Sequence, residues 1–206
     1  MKHQLIGSFA MATIVVASNI LVQHPIGQWL TWGAFTYPLA FLVSDLINRF
    51  HGPAAARRVV YLGLVVGLIC SFIGTQIMGE FGPIVTLRVA IGSGLAFLVG
   101  QLLDITLFNH LRRKTWWRAP FLSTLLGSAA DTMIFFTVAF SAALVWIEPA
   151  NDVSWATSDV ALLGVGPHVP LWVSLAVADF CVKLAVDVIA LLPFRLAIAK
   201  YAARLA

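Results

Sequence analysis

Long apolar segments separated by short polar connections run the length of the sequence. Their residues are apolar on every side, so helical periodicity does not place them. We place them by length, at about 20 residues for the roughly 30 Å of hydrocarbon in a bilayer. Six segments reach that length: 5–22, 31–48, 59–78, 83–108, 119–147 and 169–190. The sequence therefore predicts an all-α membrane protein in which residues 1–206 form one domain of six transmembrane helices.

Turn-forming residues mark the connections between the segments, as at Gly52-Pro53 and Glu148-Pro149. No connection is long enough for a second, water-soluble domain. The composition agrees, because 60% of the 206 residues are hydrophobic and 11% are charged, proportions outside the range of soluble domains. The first segment follows Lys2 as a signal peptide would. Because no small-residue cleavage site followed by a polar chain is seen, we expect a retained helix.

Basic residues are sorted to one side of the predicted helices. Eleven of the thirteen Lys and Arg residues flank segment ends on that side: Lys2, Arg49, Arg57, Arg58, Arg112, Arg113, Lys114, Arg118, Arg195, Lys200 and Arg204. The opposite connections hold acidic residues such as Glu80 and Glu148. The positive-inside rule therefore places both termini in the cytoplasm. Contact with anionic lipid explains the net charge of +4. No aromatic-basic platform accompanies this charge, so we expect the lipid bilayer and no nucleic acid as a partner.

Motifs for catalysis or ATP hydrolysis are absent from the sequence. It has no G-x-x-x-x-G-K phosphate loop and no H-E-x-x-H zinc motif. The five histidines fall in connections or at termini, away from any serine nucleophile within the membrane. No aspartate lies in a recognisable aspartyl protease motif. Cys70 and Cys181 lie mid-segment and are expected to be packed thiols. We therefore expect no enzyme activity, no cofactor and no metal site.

Charged side chains inside the apolar segments point to a transport path. A charge at the bilayer centre costs about 2.5–3.5 kcal/mol even on permissive insertion scales, so each needs a partner, water or a polar ligand. Seven residues are of this kind: Asp45, Arg88, Asp104, Asp131, Asp179, Lys183 and Asp187.

Asp131 is the strongest single candidate for a ligand contact. It lies about 18 Å along its helix from the cytoplasmic start, near mid-membrane, and no base lies within four residues on that helix. Its partner must come from another helix, from water or from substrate. Asp179 and Lys183 are one turn apart on the last helix. They form either a structural pair or a hydrogen-bonding wall for a polar substrate. Asp131 can carry a proton or stay charged against Lys183, and the sequence leaves both open.

The remaining charged positions have competing interpretations. Arg88 is expected near the external mouth, where it either extends to the lipid headgroups or contacts a ligand or gate. Asp45 precedes Arg49 by one turn, which favours a structural salt bridge. Asp104, together with Gln101, is expected to anchor the inner side.

Aromatic and small residues also leave alternatives open. Trp32 is expected in an interfacial aromatic belt, or beside Asn19 in an external pocket, since both fall near the outer face. Ridges of small residues, as around Gly100, permit close helix packing within one chain or between two. The sequence therefore leaves a homo-oligomer open.

Several stretches together resemble a known family in their order and spacing. They are Ser18-Asn19-Ile20-Leu21-Val22-Gln23, Thr31-Trp32-Gly33-Ala34-Phe35, Ser44-Asp45-Leu46, Gly100-Gln101-Leu102-Leu103-Asp104, Ser123 with Gly127 and Asp131-Thr132, and Asp179 with Lys183. They are similar to the queuosine precursor transporter family of bacterial inner membranes, also called the vitamin uptake transporter family. The resemblance spans nearly the whole chain.

This resemblance implies import of 7-deazaguanine precursors of the tRNA base queuosine, chiefly 7-cyano-7-deazaguanine and also 7-aminomethyl-7-deazaguanine. It implies a fold like the substrate-binding component of energy-coupling-factor transporters, working without the ATPase subunit. The alternative is a membrane-embedded binding subunit for another small heteroaromatic compound or vitamin, energised by a partner complex.

A guanine-like base offers N–H donors to a carboxylate, an oxygen to a donor, and a flat face to an aromatic ring. The candidates for these contacts are Asp131 and Asp179 as acceptors, Asn19, Gln101 and Lys183 as donors to the oxygen, Trp32, Phe35 and Phe135 for stacking, and Lys183 with Arg88 for the nitrile.

Overall fold

The computed structural model of the protein describes residues 2–80, 82–112 and 116–202. Seven α-helices lie in this part of the chain: α1 Lys2–Leu21, α2 Gly33–Thr36, α3 Leu39–His51, α4 Pro53–Gln76, α5 Leu87–Leu111, α6 Arg118–Phe140 and α7 Leu171–Ala202. Short antiparallel hairpins join some of them: β1 Pro25–Ile26 with β2 Leu30–Thr31, β3 Met78–Gly79 with β4 Gly82–Pro83, and β5 Asp159–Ala161 with β6 His168–Pro170.

Four helices in the described residues are long and apolar enough to cross a membrane: α1, α4, α5 and α6. Because the described residues are mostly helical, this confirms an all-α protein of membrane type. Helix α7 is longer still, at 32 residues, but it carries Asp179, Lys183 and Asp187 in its middle. The prediction of six spans stays a prediction.

The predicted second span, 31–48, is not one continuous helix. Thr31 pairs with Pro25 in the first hairpin, α2 has only four residues, and α3 begins after Pro38. Proline has no N–H to continue a helical ladder and is favoured where a helix begins. The interruption leaves Tyr37 between α2 and α3.

The predicted fifth span, 119–147, also ends early. Helix α6 stops at Phe140, because Ser141 has an extended backbone with φ −66° and ψ 135°. The connection to α7 then contains three short 3-10 turns, Ala142–Ile147, Ser154–Thr157 and Leu162–Gly164.

Helices α5 and α6 pack closely because glycines face each other across their contact. A Cβ on Gly100 would lie 2.9 Å from Asp131 Cβ and 3.0 Å from the Gly127 carbonyl oxygen. A Cβ on Gly127 would lie 2.9 Å from the Gly100 carbonyl oxygen. Real side chains do not fit at these distances. The predicted small-residue ridges are thus a contact within the chain, and they hold α6 with Asp131 directly against α5.

Arg49 and Arg112, at the ends of α3 and α5, meet at one end of the bundle, which we call the basic end. There Arg49 Nη1 donates to the Arg112 carbonyl oxygen at 3.0 Å, and Arg112 Nη2 donates to the Arg49 carbonyl oxygen at 3.3 Å. The guanidinium of Arg195 lies 5.3 Å from the Trp116 ring centre, where an aromatic belt is expected. Arg113, Lys114, Arg204 and the side chain of Lys2, also counted in the charge pattern, lie outside the described residues.

Candidate functional site

A buried ammonium group, Lys183 Nζ on α7, is the centre of the candidate site. It lies 2.7 Å from Asp131 Oδ2, 2.6 Å from Asp179 Oδ2 and 2.9 Å from Thr132 Oγ1. The Thr132 hydroxyl in turn donates to Asp179 Oδ2 at 3.0 Å. Three N–H donors thus meet three acceptors, so the ammonium is fully satisfied. The side chains of Lys183 and Asp131 are only 5% and 3% exposed.

Two carboxylates around one ammonium leave the site with one net negative charge when all three groups are ionised. The predicted partner for Asp131 from another helix is therefore Lys183. Asp179 and Lys183 form an ion pair within α7, and Lys183 also contacts Asp131 on α6. Their role as a hydrogen-bonding wall for a polar substrate stays a prediction. A polar molecule that enters this site must replace hydrogen bonds that Lys183, Asp131, Asp179 and Thr132 already make with one another.

Tyr37, which the sequence reasoning missed, completes the site. Its hydroxyl donates to Asp131 Oδ1 at 2.7 Å, and its ring centre lies 5.3 Å from Lys183 Nζ, a cation–π distance. The ring packs edge-on against Phe41 and Phe97, with centroids 6.5 Å and 6.2 Å away. A signal was available in the sequence, since a tyrosine directly before Pro38 interrupts an apolar run. The site thus joins the α2–α3 break to α6 and α7.

Tyr37 also lines a cleft between α1, α4 and α5. Its polar lining comes from Asn19, Ser71 and Ser93, and Phe97 contributes an aromatic wall. Asn19 donates from Nδ2 to the Val15 carbonyl oxygen at 2.9 Å. The cavity volume of about 40 Å³ holds a few water molecules, at about 10–15 Å³ each. A bicyclic base needs more room, so the helices must move apart before one binds there.

Comparison with known proteins identifies the family. The family model described as "Putative vitamin uptake transporter" matches residues 31–198. The chain belongs to this family. The matched residues include Tyr37, Asp131, Asp179 and Lys183, so the whole ammonium site lies within the family region.

Curated relatives agree with the family. The chain is 33% identical over 194 residues to the queuosine precursor transporter of Escherichia coli (strain K12), covering 87% of this chain and 79% of the relative. It is 36% identical over 159 residues to the probable queuosine precursor transporter of Haemophilus influenzae (strain ATCC 51907 / DSM 11121 / KW20 / Rd), covering 65% of this chain and 68% of the relative. The probable queuosine precursor transporter of Bacillus subtilis (strain 168) is 28% identical over 199 residues, covering 85% of this chain and 76% of the relative. No solved structure matches the chain.

These findings confirm the predicted family and an uptake role. This member of the vitamin uptake transporter family is a multi-pass membrane transporter and not an enzyme. In the described residues, no group of three or more His, Cys, Asp or Glu side chains is arranged to hold a metal ion.

The Arg88 side chain donates hydrogen bonds to backbone carbonyl groups at the end of α6. It is fully buried, donates from Nε to the Val138 carbonyl oxygen at 3.0 Å, and from Nη2 to the Ser141 carbonyl oxygen at 2.6 Å. Its backbone N–H donates to Glu148 Oε2 at 3.0 Å. The guanidinium thus caps the carbonyl end of α6, where a cation also suits the helix dipole. The expected extension to the headgroups is wrong, because the side chain reaches inward to α6. A ligand contact by Arg88 stays a prediction.

The aromatic candidates pack against other rings. Phe135 packs against Phe136 and Phe140, with centroids 5.1 Å and 5.9 Å away. Trp32 and Phe35 form a separate pair with centroids 6.2 Å apart. They are 54% and 39% exposed, which fits the interfacial belt. Of the rings near Lys183, the one in contact is Tyr37.

Gln101 is buried with an unused amide. Neither Nε2 nor Oε1 has a hydrogen-bond partner in the structure, and the side chain is fully buried. Burying an unpaired amide costs about 1–3 kcal/mol in protein mutational data. Its position one helical turn from Phe97, which lines the cleft, makes the amide an available hydrogen-bonding group for a polar ligand or water.

Three further aspartates form a second polar layer nearer the basic end. Thr124 Oγ1 on α6 lies 3.3 Å from Asp45 Oδ2 and 3.1 Å from Asp104 Oδ1. Ser128 Oγ donates to Asp187 Oδ2 at 3.4 Å. The expected Asp45–Arg49 salt bridge is absent among the described ion pairs, because Arg49 instead donates to the Arg112 carbonyl oxygen. Asp104 lies in the half of α5 nearer the basic end, and its role as an inner-side anchor stays a prediction.

Proposed function

We propose that this protein imports queuosine precursors across the bacterial inner membrane. The substrates are 7-deazaguanine bases, chiefly 7-cyano-7-deazaguanine and also 7-aminomethyl-7-deazaguanine. The names of the curated relatives support the substrate class. In this proposal the chain is one domain of six transmembrane helices with both termini in the cytoplasm. It resembles the substrate-binding component of energy-coupling-factor transporters but works without an ATPase subunit.

The observation that carries the proposal is the buried Lys183 ammonium between Asp131 and Asp179. Such a site at bilayer depth is expensive unless it serves a polar ligand. A 7-deazaguanine edge presents ring and exocyclic N–H donors beside a carbonyl oxygen. The N–H groups replace Lys183 on a carboxylate, and the freed ammonium donates to the carbonyl oxygen. The exchange preserves the number of hydrogen bonds, which is what a buried site requires.

Tyr37 connects this site to the cleft between α1, α4 and α5. The base approaches through the cleft lined by Asn19, Ser71 and Ser93, with the Phe97 ring available for contact with its flat face. Because Tyr37 lines the cleft and also donates to Asp131, its movement opens a path from the cleft to Lys183. Gln101 supplies a free amide close to that path.

The test is the queuosine content of tRNA in a host that neither synthesises the precursors nor has its own importer. Cells receive limiting 7-cyano-7-deazaguanine with the wild-type gene, with Asp131→Asn or Lys183→Met, or with no gene. We expect queuosine with the wild type only, at equal membrane abundance of the variants. Wild-type cells without queuosine would reject the substrate, and a fully active Asp131→Asn would reject the site. Uptake only when an energy-coupling complex is co-expressed would instead favour a binding subunit.

A further inference from the structure

The second aspartate layer lies well away from the Lys183 site. Three residues mark the basic end on the helices that carry these aspartates: His51 ends α3, Leu111 ends α5, and Arg195 on α7 lies beside Trp116. Asp45, Asp104 and Asp187 precede them by six, seven and eight residues. At 1.5 Å per residue, each aspartate is therefore about 9–12 Å from the basic end. Asp131 is thirteen residues into α6, or about 20 Å. Among the residues that the structure describes, the transporter thus has two polar layers, and the cation Lys183 lies in the deeper one.

The two contacts of the Thr124 hydroxyl indicate the protonation state of Asp45 and Asp104. Its single hydrogen can point to only one acceptor, yet its oxygen lies within hydrogen-bond distance of both Asp45 Oδ2 and Asp104 Oδ1. The second contact is a hydrogen bond only if that carboxyl supplies its own hydrogen. One of the two aspartates must therefore be a neutral carboxylic acid for the geometry to be satisfied.

Two buried oxygens in this layer support the same conclusion. Asp45 Oδ1 and Asp104 Oδ2 have no hydrogen-bond partner, and the residues are only 3% and 0% exposed. A bare carboxylate oxygen in a low-dielectric interior is far costlier than a neutral acid. A small cleft lined by Asp45, Thr124 and Asp187 reaches the layer. Its volume of about 10 Å³ is that of roughly one water molecule, enough for a proton-carrying water.

The charged groups around the layer leave it without a cation. From α3, Arg49 donates to the Arg112 carbonyl oxygen. From α7, Lys183 lies one turn from Asp187 but is held by Asp131 and Asp179. From α5 and α6, the facing groups are Asp104 itself and the neutral hydroxyls of Ser123, Thr124 and Ser128.

We infer that Asp45, Asp104 and Thr124 form a proton-binding site that couples import to a proton gradient. This inference rests on the proposed uptake function but not on which base is carried. The link to the substrate runs along α6, where Thr124, Ser128 and Asp131 are spaced by four and three residues and so share one face. Substrate that draws Lys183 away from its aspartates also changes the charge that Asp187 faces one turn along α7. Bound substrate and bound proton therefore influence each other.

The first measurement is infrared spectroscopy of the purified protein, which detects the carbonyl band of a protonated carboxyl without any substrate. We expect the band in the wild type and in Asp131→Asn, and its loss in the double variant D45N/D104N. A band that survives in D45N/D104N, or that disappears in Asp131→Asn, would overturn the assignment.

The second measurement is uptake of 7-cyano-7-deazaguanine into proteoliposomes with an imposed pH gradient. Thr124→Val removes the hydroxyl at nearly constant shape, and Thr124→Ser keeps it. We expect gradient-driven accumulation in the wild type and T124S, loss of accumulation in T124V and Asp104→Asn, and exchange of internal for external substrate in all four. Accumulation in Asp104→Asn, or wild-type accumulation that follows a sodium gradient and ignores a protonophore, would overturn proton coupling. Loss of exchange in the wild type would instead reject the substrate, and the infrared band would still decide the proton site.

Discussion

Tyr37 donates a 2.7 Å hydrogen bond to Asp131, although 94 residues separate them in the chain. This bond fixes the helix break after α2 to the middle of α6. Asp131 Oδ2 meets Lys183 at 2.7 Å, so both oxygens of one carboxylate are held, each by a different element. Displacement of Tyr37 therefore changes the position of Asp131, and through it the position of Lys183.

Replacing Tyr37 with Phe tests this bond while keeping the ring. The variant leaves Asp131 Oδ1 without its donor, and a hydrogen bond to a charged group is worth about 1.5–3 kcal/mol. We expect binding of 7-cyano-7-deazaguanine to weaken by about 10- to 100-fold, since 1.4 kcal/mol is tenfold. Equilibrium binding to the purified protein measures it. Tyr61→Phe is the matched control, because Tyr61 is 49% exposed. If Tyr37→Phe and Tyr61→Phe bind 7-cyano-7-deazaguanine with equal affinity, Tyr37 is not part of the binding site.

Replacing Lys183 with Met leaves Asp131 and Asp179 close together without a cation. Removing one partner of a buried ion pair costs about 3–5 kcal/mol. We expect a clear fall in the Tm of the purified protein in detergent and complete loss of uptake.

A triple variant separates stability from function at the same position. Lys183→Met with Asp131→Asn and Asp179→Asn removes every charge of the network, so we expect most of the lost Tm to return. Uptake should stay absent, because the groups that bind the base are gone. A triple variant that transports would show that the charges serve stability alone.

The expected effect of Arg88→Met is structural. The variant loses the bonds from Nε and Nη2 to the Val138 and Ser141 carbonyl oxygens and leaves both carbonyl groups buried. Each unpaired buried group costs about 1–3 kcal/mol, so Tm should fall. Arg88 Nη1 has no hydrogen-bond partner, so substrate affinity is measured as well, and an unchanged affinity would leave Arg88 with the structural role alone. Arg58→Met, at an exposed position, serves as the control for charge. A loss of affinity without a fall in Tm would mean that Arg88 contacts the ligand.

Gly100→Ala should force α5 and α6 apart. The new methyl group would lie 2.9 Å from Asp131 Cβ and 3.0 Å from a backbone oxygen of Gly127. Overpacking of this kind costs about 1–3 kcal/mol, and we expect lower Tm and reduced uptake together. At Gly67 an added Cβ would lie 3.4 Å from Val15 Cγ1, an ordinary contact, so Gly67→Ala should keep the Tm of the wild type and serves as the control for packing. Similar melting of both variants would contradict the close packing.

The sequence allowed the all-α membrane class to be predicted, because apolar length is a local property. It also showed that Asp131 needed a partner from another helix, from water or from substrate. Tyr37 was missed since the second segment was treated as one continuous helix, and the break at Pro38 is what brings the tyrosine inward. The Asp45–Arg49 pairing was wrong because a carbonyl group from Arg112, 63 residues away, competes for the guanidinium. Partners of long side chains depend on tertiary contacts that spacing along one helix does not contain.

All three hydrogens of the Lys183 ammonium have acceptors before any substrate arrives. A ligand reaches one of these hydrogens only by displacing Asp131, Asp179 or Thr132, so it must bring an acceptor for the ammonium and a donor for the group it displaces. A ligand that offers only one of the two leaves a buried partner unpaired. The resting site is therefore selective before any other contact is made, because it disfavours every ligand that lacks either kind of group.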